Sequence, residues 1–464
     1  MKRSLGSALL VLAALACLFT VSALADSQAR IVRLSDVQGT VEIDRGTGQG
    51  YEKAFLNMPI TQGAKLKTGD DGRAEIEFED GSVLHIVPST TLQFTELGLR
   101  DSGAKLSTVE LQGGEIYVNF KGDKQDEFTV AFGREKARLT RSAHFRLRVD
   151  DTKATLAVLD GEVHVIAPAG EVKVSKKETA TFDLAKNDQY KVAKGVDRDP
   201  FDSWDKEQSQ YHQRYEASNS YTTPYGYGRS DLNYYGSFMN LPGYGLLWQP
   251  YFTGAGWDPY MDGAWMFYPG FGYSWVSAYP WGWTPYHYGS WLFVPQYGWM
   301  WQPGGSWVGW NRVPRVINPP RNYIPPRPPA MSGPRVVAVG RGPSSSTVLP
   351  GTRPGSRVEL SGPTGGIGVP RGVSNLGRVN RDFEAHGQAQ VGVPGGRRGA
   401  AMTGMPTAQP RMGGAGQGRA MGRIDRGESS GARVGAAPRM SAPSAPRSSP
   451  SPSRSTSTSA PPHK

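Results

Sequence analysis

The chain has a single cysteine among its 464 residues, Cys17, set in an apolar N-terminal stretch. With that stretch removed no thiol remains, which excludes disulfides, thiolate zinc sites and a cysteine nucleophile. Long apolar runs are equally scarce. Only residues 5–21 approach the roughly 20 residues needed to cross a bilayer. The seven histidines (His85, His144, His164, His212, His287, His386 and His463) are scattered, and no two have metal-ligand spacing. Residues 244–310 contain no Lys or Arg, only Asp258 and Asp262 as acids, and just six Val, Leu or Ile. The cationic groove that a nucleic-acid backbone requires is therefore missing. Glycine-rich segments lack the strand-to-helix setting of a phosphate loop. Asp70-Asp71 and Asp150-Asp151 fall at expected turns, where Asp bonds local backbone. These absences assign no catalytic residue, metal site or cofactor, and the chain is expected to be non-enzymatic.

What is present begins with an export signal. Lys2 and Arg3 precede the apolar run, and Ala23-Leu24-Ala25 is a small-residue cleavage site. Residues 1–25 are read as a signal peptide, with no further membrane span after cleavage. An exported chain free of disulfides suits a bacterial periplasm or cell surface. The charge is divided. Residues 311–464 carry 21 Arg and one Lys against five acids, a net +17, which leaves the first 310 residues at −6 within the overall +11. A near-neutral to acidic folded part is followed by a basic tail.

Residues 26–199 predict an all-β domain. Arg73-Ala-Glu-Ile-Glu-Phe78 alternates strictly, Asp80-Gly81 marks a hairpin, and Ser82-Val-Leu-His-Ile-Val87 follows. Further strands are expected at 31–34, 40–43, 109–111, 115–120, 127–131, 137–140, 144–149, 154–159, 162–166, 171–174 and 178–183, separated by Gly113-Gly114, Asp150-Asp151 and Asp160-Gly161. Short strands at regular spacing indicate a sandwich, jelly roll or solenoid-like fold. Several segments carry a likeness: Val37-Gln-Gly-Thr-Val41, Gly63-Ala-Lys-Leu-Lys-Thr-Gly69, Glu79-Asp-Gly-Ser-Val-Leu84, Leu111-Gln-Gly-Gly-Glu-Ile-Tyr-Val118 and Val158-Leu-Asp-Gly-Glu-Val-His-Val165. On these, the stretch resembles the FecR domain, the periplasmic domain of bacterial iron-transport signal transducers. Arg141-Ser-Ala-His-Phe145 departs from the family's Arg-Gly-Thr-x-Phe pattern.

Residues 200–243 are read as a helical brace and connector. Phe201, Trp204, Gln208, Tyr211 and Tyr215 recur at helical spacing over 200–218, and residues 219–243 read as extended. Eleven of the 12 Trp then fall within residues 244–310, together with 13 Tyr and Phe. Trp257-Asp-Pro-Tyr260-Met-Asp-Gly263-Ala-Trp265 recurs 26 residues later as Trp283-Thr-Pro-Tyr286-His-Tyr-Gly289-Ser-Trp291. A fixed period implies stacked supersecondary units. This stretch resembles a Trp/Tyr-rich domain that accompanies FecR domains in exported bacterial proteins and carries no known activity. Residues 311–464 are rich in Pro, Gly, Ser and Arg and are expected to be disordered.

Two roles compete for the aromatic residues. They fill a core that has few aliphatic side chains, or some form an uncharged stacking surface for sugar rings. On the second reading the ligand-binding residues are Trp257, Tyr260, Trp265, Trp283, Tyr286, Tyr288 and Trp291. The chain would then be an envelope scaffold or binding module for cell-wall or extracellular polysaccharide, such as peptidoglycan. The basic tail would contact anionic envelope polymers. The alternative is a periplasmic sensing or protein-docking component of a signalling system, using an exposed β edge to recruit an envelope protein. Only about four residues precede the apolar run, so no cytoplasmic regulatory domain is expected.

Overall fold

Alternation of apolar and polar residues builds the first half of the molecule. The computed structural model describes residues 30, 32–123, 125–185, 189–216, 228–330, 333, 336–339, 357–360, 362–373 and 375–392. All lie in one contact unit, residues 1–401. The predicted signal peptide and residues 401–464 fall outside the described residues.

The architecture is all-β. Residues 32–194 form two tracts of antiparallel strands that share one long strand, Lys105–Phe120. The first tract runs Pro59–Ile60, Val32–Gln38, Arg73–Glu77, Val83–Ile86, Lys105–Phe120, Ala143–Val149, Lys153–Asp160, Glu178–Asp183, Tyr190–Lys194. The second runs Glu52–Lys53, Val41–Asp44, Lys65–Thr68, Thr91–Leu99, Lys105–Phe120, Glu127–Phe132, Glu135–Leu139, Glu162–Ala167, Gly170–Ser175. Its one parallel pairing joins Lys105–Phe120 to Glu127–Phe132.

The separate strands expected at 109–111 and 115–120 are thus halves of one strand. Gly113-Gly114 bends the chain without ending it. Gly114 has φ 97°, and a Cβ there would lie 2.4 Å from Thr90 Oγ1. The tracts pack through fully buried Leu34, Ile76, Leu84 and Ile116 on one side and Ile43, Leu66, Val109 and Val130 on the other. Phe132 of the second meets Phe182 of the first edge-on at 5.6 Å.

The helix expected over 200–218 spans Asp202–Glu216 (α1) and buries Trp204, Asp205, Gln208, Tyr211 and His212. A second helix, Arg229–Tyr235 (α2), and a strand, Gly236–Leu241, stand where the sequence suggests an extended connector. That strand opens the first of three hairpins, where the sequence period shows two. They are Gly236–Leu241 with Gly245–Pro250, Gly263–Tyr268 with Gly272–Ser277, and Tyr288–Val294 with Gly298–Trp307. A one-turn helix, Thr284–His287 (α3), leads into the third.

Each hairpin turns in the same way. Leu241-Pro-Gly-Tyr244, Tyr268-Pro-Gly-Phe271 and Val294-Pro-Gln-Tyr297 each close with an N–H bond from the last residue to the first carbonyl, at 3.0–3.1 Å. Proline presets the first corner, and the next residue takes positive φ: Gly243 81°, Gly270 80°, Gln296 71°. In each hairpin a Trp on the second strand lies across the glycine at or next to the start of the first. A Cβ on Gly236 or Gly263 would come within 2.4 Å of Trp248 or Trp275, and one on Gly289 within 2.8 Å of Trp301. The first copy is hard to see in sequence because Phe238 stands where the others have Trp265 and Trp291, and its offset is 27 residues.

The C-terminal region departs furthest from expectation. Residues 357–392 include paired strands Arg357–Leu360 and Ala389–Gly392 and an 11-residue helix, Leu376–His386 (α4). Val369, Leu376, Phe383 and Val391 are buried against the aromatic module. Low aliphatic content does not leave this stretch without structure, because the module supplies the apolar partners. Phe383 packs edge-on against Phe252 at 5.9 Å.

Candidate functional site

The seven proposed stacking residues all lie in the interior. Trp257, Tyr260, Trp265, Trp283, Tyr286, Tyr288 and Trp291 are each no more than 3% exposed. The expected open stacking surface does not match this placement. The physical reason is the shortage of aliphatic side chains: indoles and phenols are what fill the module. Trp281 lies at the centre. It stacks on Tyr279 at 5.0 Å and 4° and meets Trp248, Trp257, Tyr286 and Trp291 within 6.2 Å. Several of the rings' polar atoms bond internally, while the Tyr260 hydroxyl and Trp265 Nε1 are buried without a hydrogen-bond partner among the described residues. Trp257 Nε1 donates to the Tyr279 hydroxyl at 3.0 Å, Trp291 Nε1 to the Pro285 carbonyl at 2.9 Å, and the Tyr286 hydroxyl to the Pro259 carbonyl. His287 is buried between Trp283 at 4.4 Å and Trp307 at 4.6 Å, and neither ring nitrogen has a partner among the described residues. Burial alone drives its pKa down to about 3.

A different cluster emerges where the module and α1 cover the outer face of the first tract. Alternation places Arg33 and Ser35, Glu75 and Glu77, and His85 on that face, which the sequence pattern would assign to solvent. All five are buried. Glu75 is the hub. Its carboxylate lies 3.0 Å from His212 Nε2, 3.1 Å from His85 Nε2, 2.8 Å from Arg371 Nη1, and accepts from Ser35 Oγ at 2.7 Å. His85 Nδ1 reaches Asp205 of α1 at 2.7 Å, and His144 reaches the same carboxylate at 3.0 Å. Arg33 donates to Glu77 at 3.0 Å and to Asp231 of α2 at 2.5 Å. Asp231 also accepts from the Tyr211 hydroxyl at 2.6 Å and pairs with Arg371 at 3.1 Å. Asn57, held at φ 63°, accepts from Arg33 Nε and donates to the Ser277 and Tyr279 carbonyls at 3.0 and 2.7 Å.

These groups set one another's protonation. Burial would raise the Glu75 carboxyl, but His212, Arg371 and His85 outweigh it and hold it well below the usual carboxylate range. Burial opposes charge on His85, yet Asp205 and Glu75 raise it to about 9. His212 is raised by Glu75 against the same opposition. Asp231 is lowered because Arg371 and Arg33 overcome burial. The seam is therefore an ionic clasp among three segments far apart in sequence. Sequence reading missed it because its polar residues look like an ordinary wet sheet face. The only signal was that Arg33, Glu75, Glu77 and His85 fall on neighbouring strands at the same parity.

A second feature is a free sheet edge. Tyr190–Lys194 closes the first tract, pairs only with Glu178–Asp183 among the described residues, and is exposed at every residue, with Tyr190 at 43% and Val192 at 37%. No group of three or more His, Cys, Asp or Glu among the described residues is arranged to hold a metal ion. No described helix is long and apolar enough to cross a membrane.

Comparison with known proteins locates both halves. Residues 64–164 match the FecR protein family, and residues 229–318 match a family of unknown function, DUF6600. The second match takes in α2 and all three hairpins. No curated protein matches the chain. Two crystal structures of a putative anti-sigma factor from Parabacteroides distasonis are similar to it. One has 20% identity, covers 30% of this chain and 63% of its own, and has a TM-score of 0.26. The other has 16% identity, covers 34% and 76%, and also has a TM-score of 0.26.

Proposed function

We propose that this chain, built on a FecR domain joined to a DUF6600 domain, is a non-enzymatic component of the bacterial cell envelope. It docks a protein partner in a sensing or signalling role, exported through the signal at residues 1–25 to the periplasm or cell surface. The FecR match supports a partner-binding component over a glycan scaffold, and the enclosure of all seven stacking residues points the same way.

The observation that carries the reading is the free edge. Asp183 N–H donates to the Gln189 carbonyl at 2.8 Å, and Gly195 N–H to the Lys177 carbonyl at 2.7 Å. With the register Phe182↔Tyr190, these bonds fix the phase of the ladder. Lys191 and Ala193 turn their backbone groups inward. Tyr190, Val192 and Lys194 turn theirs outward, where an added strand would pair. Lys191 and Lys194 disfavour pairing with a second copy and suit an acidic or neutral partner strand.

Photo-crosslinking tests this. A photoreactive residue at position 192 of the full chain, in the producing bacterium, should join one envelope protein. The Val192→Pro change in a chain labelled at 190 should abolish that adduct, because proline removes one outward N–H without touching the inner ladder. Adducts that persist in Val192→Pro, or none at either position, would sink the docking reading.

A further inference from the structure

Among the described residues, Arg371 is the one cation of the ionic clasp that the first 310 residues do not supply. Its segment, residues 362–373, is held as a bound peptide is held. Module side chains grip its backbone. Trp281 Nε1 donates to the Gly365 carbonyl at 2.6 Å, and the Tyr235 and Tyr234 hydroxyls donate to the Val369 and Pro370 carbonyls, both at 2.9 Å. Gly365, Gly366 and Gly368 take positive φ, and a Cβ at Gly365 would lie 2.6 Å from Tyr279. The guanidinium enters a cradle of acceptors: Glu75 at 2.8 Å, Asp231 at 3.1 Å, Gln208 Oε1 at 3.2 Å and the Ser35 carbonyl at 2.9 Å, with the Tyr211 ring 4.6 Å beneath. This is the planar, multiply accepting environment that favours guanidinium over ammonium.

Two cavities adjoin the seat. Cavities of about 130 and 230 Å³ both have Arg371 and Gln208 in their walls. A side chain placed as core would be enclosed on all sides. Here residues 366–371 line one cavity, and Arg371 and Gly372 line the other. Pro-Arg occurs eight times after residue 310, but only Pro370-Arg371 follows a Gly-Gly-x-Gly lead, and the close approach to Tyr279 requires it.

We propose that Ser35, Glu75, Gln208, Tyr211 and Asp231 form a peptide-binding site for an arginine that follows a Gly-rich turn, the Ile367 and Val369 N–H groups closing that turn onto the Thr364 and Gly366 carbonyls. Residues 362–373 occupy it in cis and exchange with the same segment supplied in trans. This site is separate from the sheet edge and does not depend on the docking reading.

The test uses full-length protein and a fluorescent synthetic peptide covering residues 362–392. In the Arg371→Ala chain, whose own strap has lost its guanidinium, the peptide should bind at least tenfold more tightly than in the native chain. A peptide carrying the same Arg→Ala change should bind at least tenfold more weakly than the unchanged peptide. Equal binding to both chains, or none to either, overturns the proposal. If Arg371→Ala fails to fold, the chain is produced as two pieces, residues 1–350 and tagged 351–464, in one cell. Co-purification that excess peptide reverses supports the site. Pieces that never associate, or that associate but never exchange with peptide, refute it.

Discussion

The two halves of this molecule are both made of hairpins and filled by opposite means. The FecR-type sandwich packs mainly aliphatic side chains in facing layers, with a few phenylalanine contacts among them. The DUF6600 module has three short hairpins and few aliphatic residues, so each hairpin lays a Trp across its own glycine. A buried indole removes ~150–250 Å² from water, so a few rings do the work of many methyl groups. The difference teaches that an aromatic-rich composition need not mean a recognition surface. In a small repeat, aromatic residues can be the core.

The comparison breaks most visibly at the module's centre. Trp281→Ala should cost about 3–5 kcal/mol, and Gly263→Val should be similarly severe because its side chain would overlap Trp275. Chemical denaturation followed by Trp fluorescence measures both. A loss under ~1 kcal/mol would mean the rings are not core.

Next come the two buried histidines, which should give opposite pH signatures. His85 has a folded pKa of about 9, raised above the ordinary 6.5. Its contribution is complete below pH 6.5 and is lost as pH rises through about 9. His287 has a folded pKa of about 3. The unfolded chain takes up a proton below pH 6.5 and the folded one does not, so stability falls as pH drops from 6.5 toward 3, by up to ~1.4 kcal/mol per unit. Melting temperatures across pH should show His85→Gln flattening the alkaline limb and His287→Phe flattening the acid limb. If neither limb changes, the assignment is wrong.

A smaller effect sharpens the repeat itself. Gln296 holds the positive-φ corner that glycine holds in the other two hairpins. Gln296→Gly should stabilise by about 1 kcal/mol. Smallest of all is the response to iodide. With ten of the eleven module tryptophans buried and Trp307 half-buried, quenching should stay weak, and soluble glycans should leave the emission unchanged.

Much of the sandwich was legible in the sequence. Strict alternation in Arg73–Glu77 and the Asp-Gly turn gave strand, turn and inner face together. The period of 26 gave two of three hairpins, and the third was hidden by Phe238 and a one-residue change of offset. What could not be read was the covering of the outer sheet face. Glu75 and His85 have the parity of solvent residues, and only the arrival of α1, α2 and Arg371 buries them. Composition misled for residues 357–392, because it measures what a segment can bury alone and not what a neighbour offers it. The same limit applied to the seven rings. Their spacing is that of a repeat, and spacing does not say which side of a repeat faces water.

The Glu75–Arg371 pair closes a loop of 296 residues. A chain that emerges N-terminus first, from a ribosome or through a membrane pore, presents Glu75 long before its partner exists. At ~5–20 residues per second, the carboxylate waits roughly 15–60 s for the guanidinium. During that interval the sandwich can form, but its outer face remains incomplete and open to other company. The final assembly step therefore belongs to the end of synthesis, and contacts of this sequence separation are the slow ones.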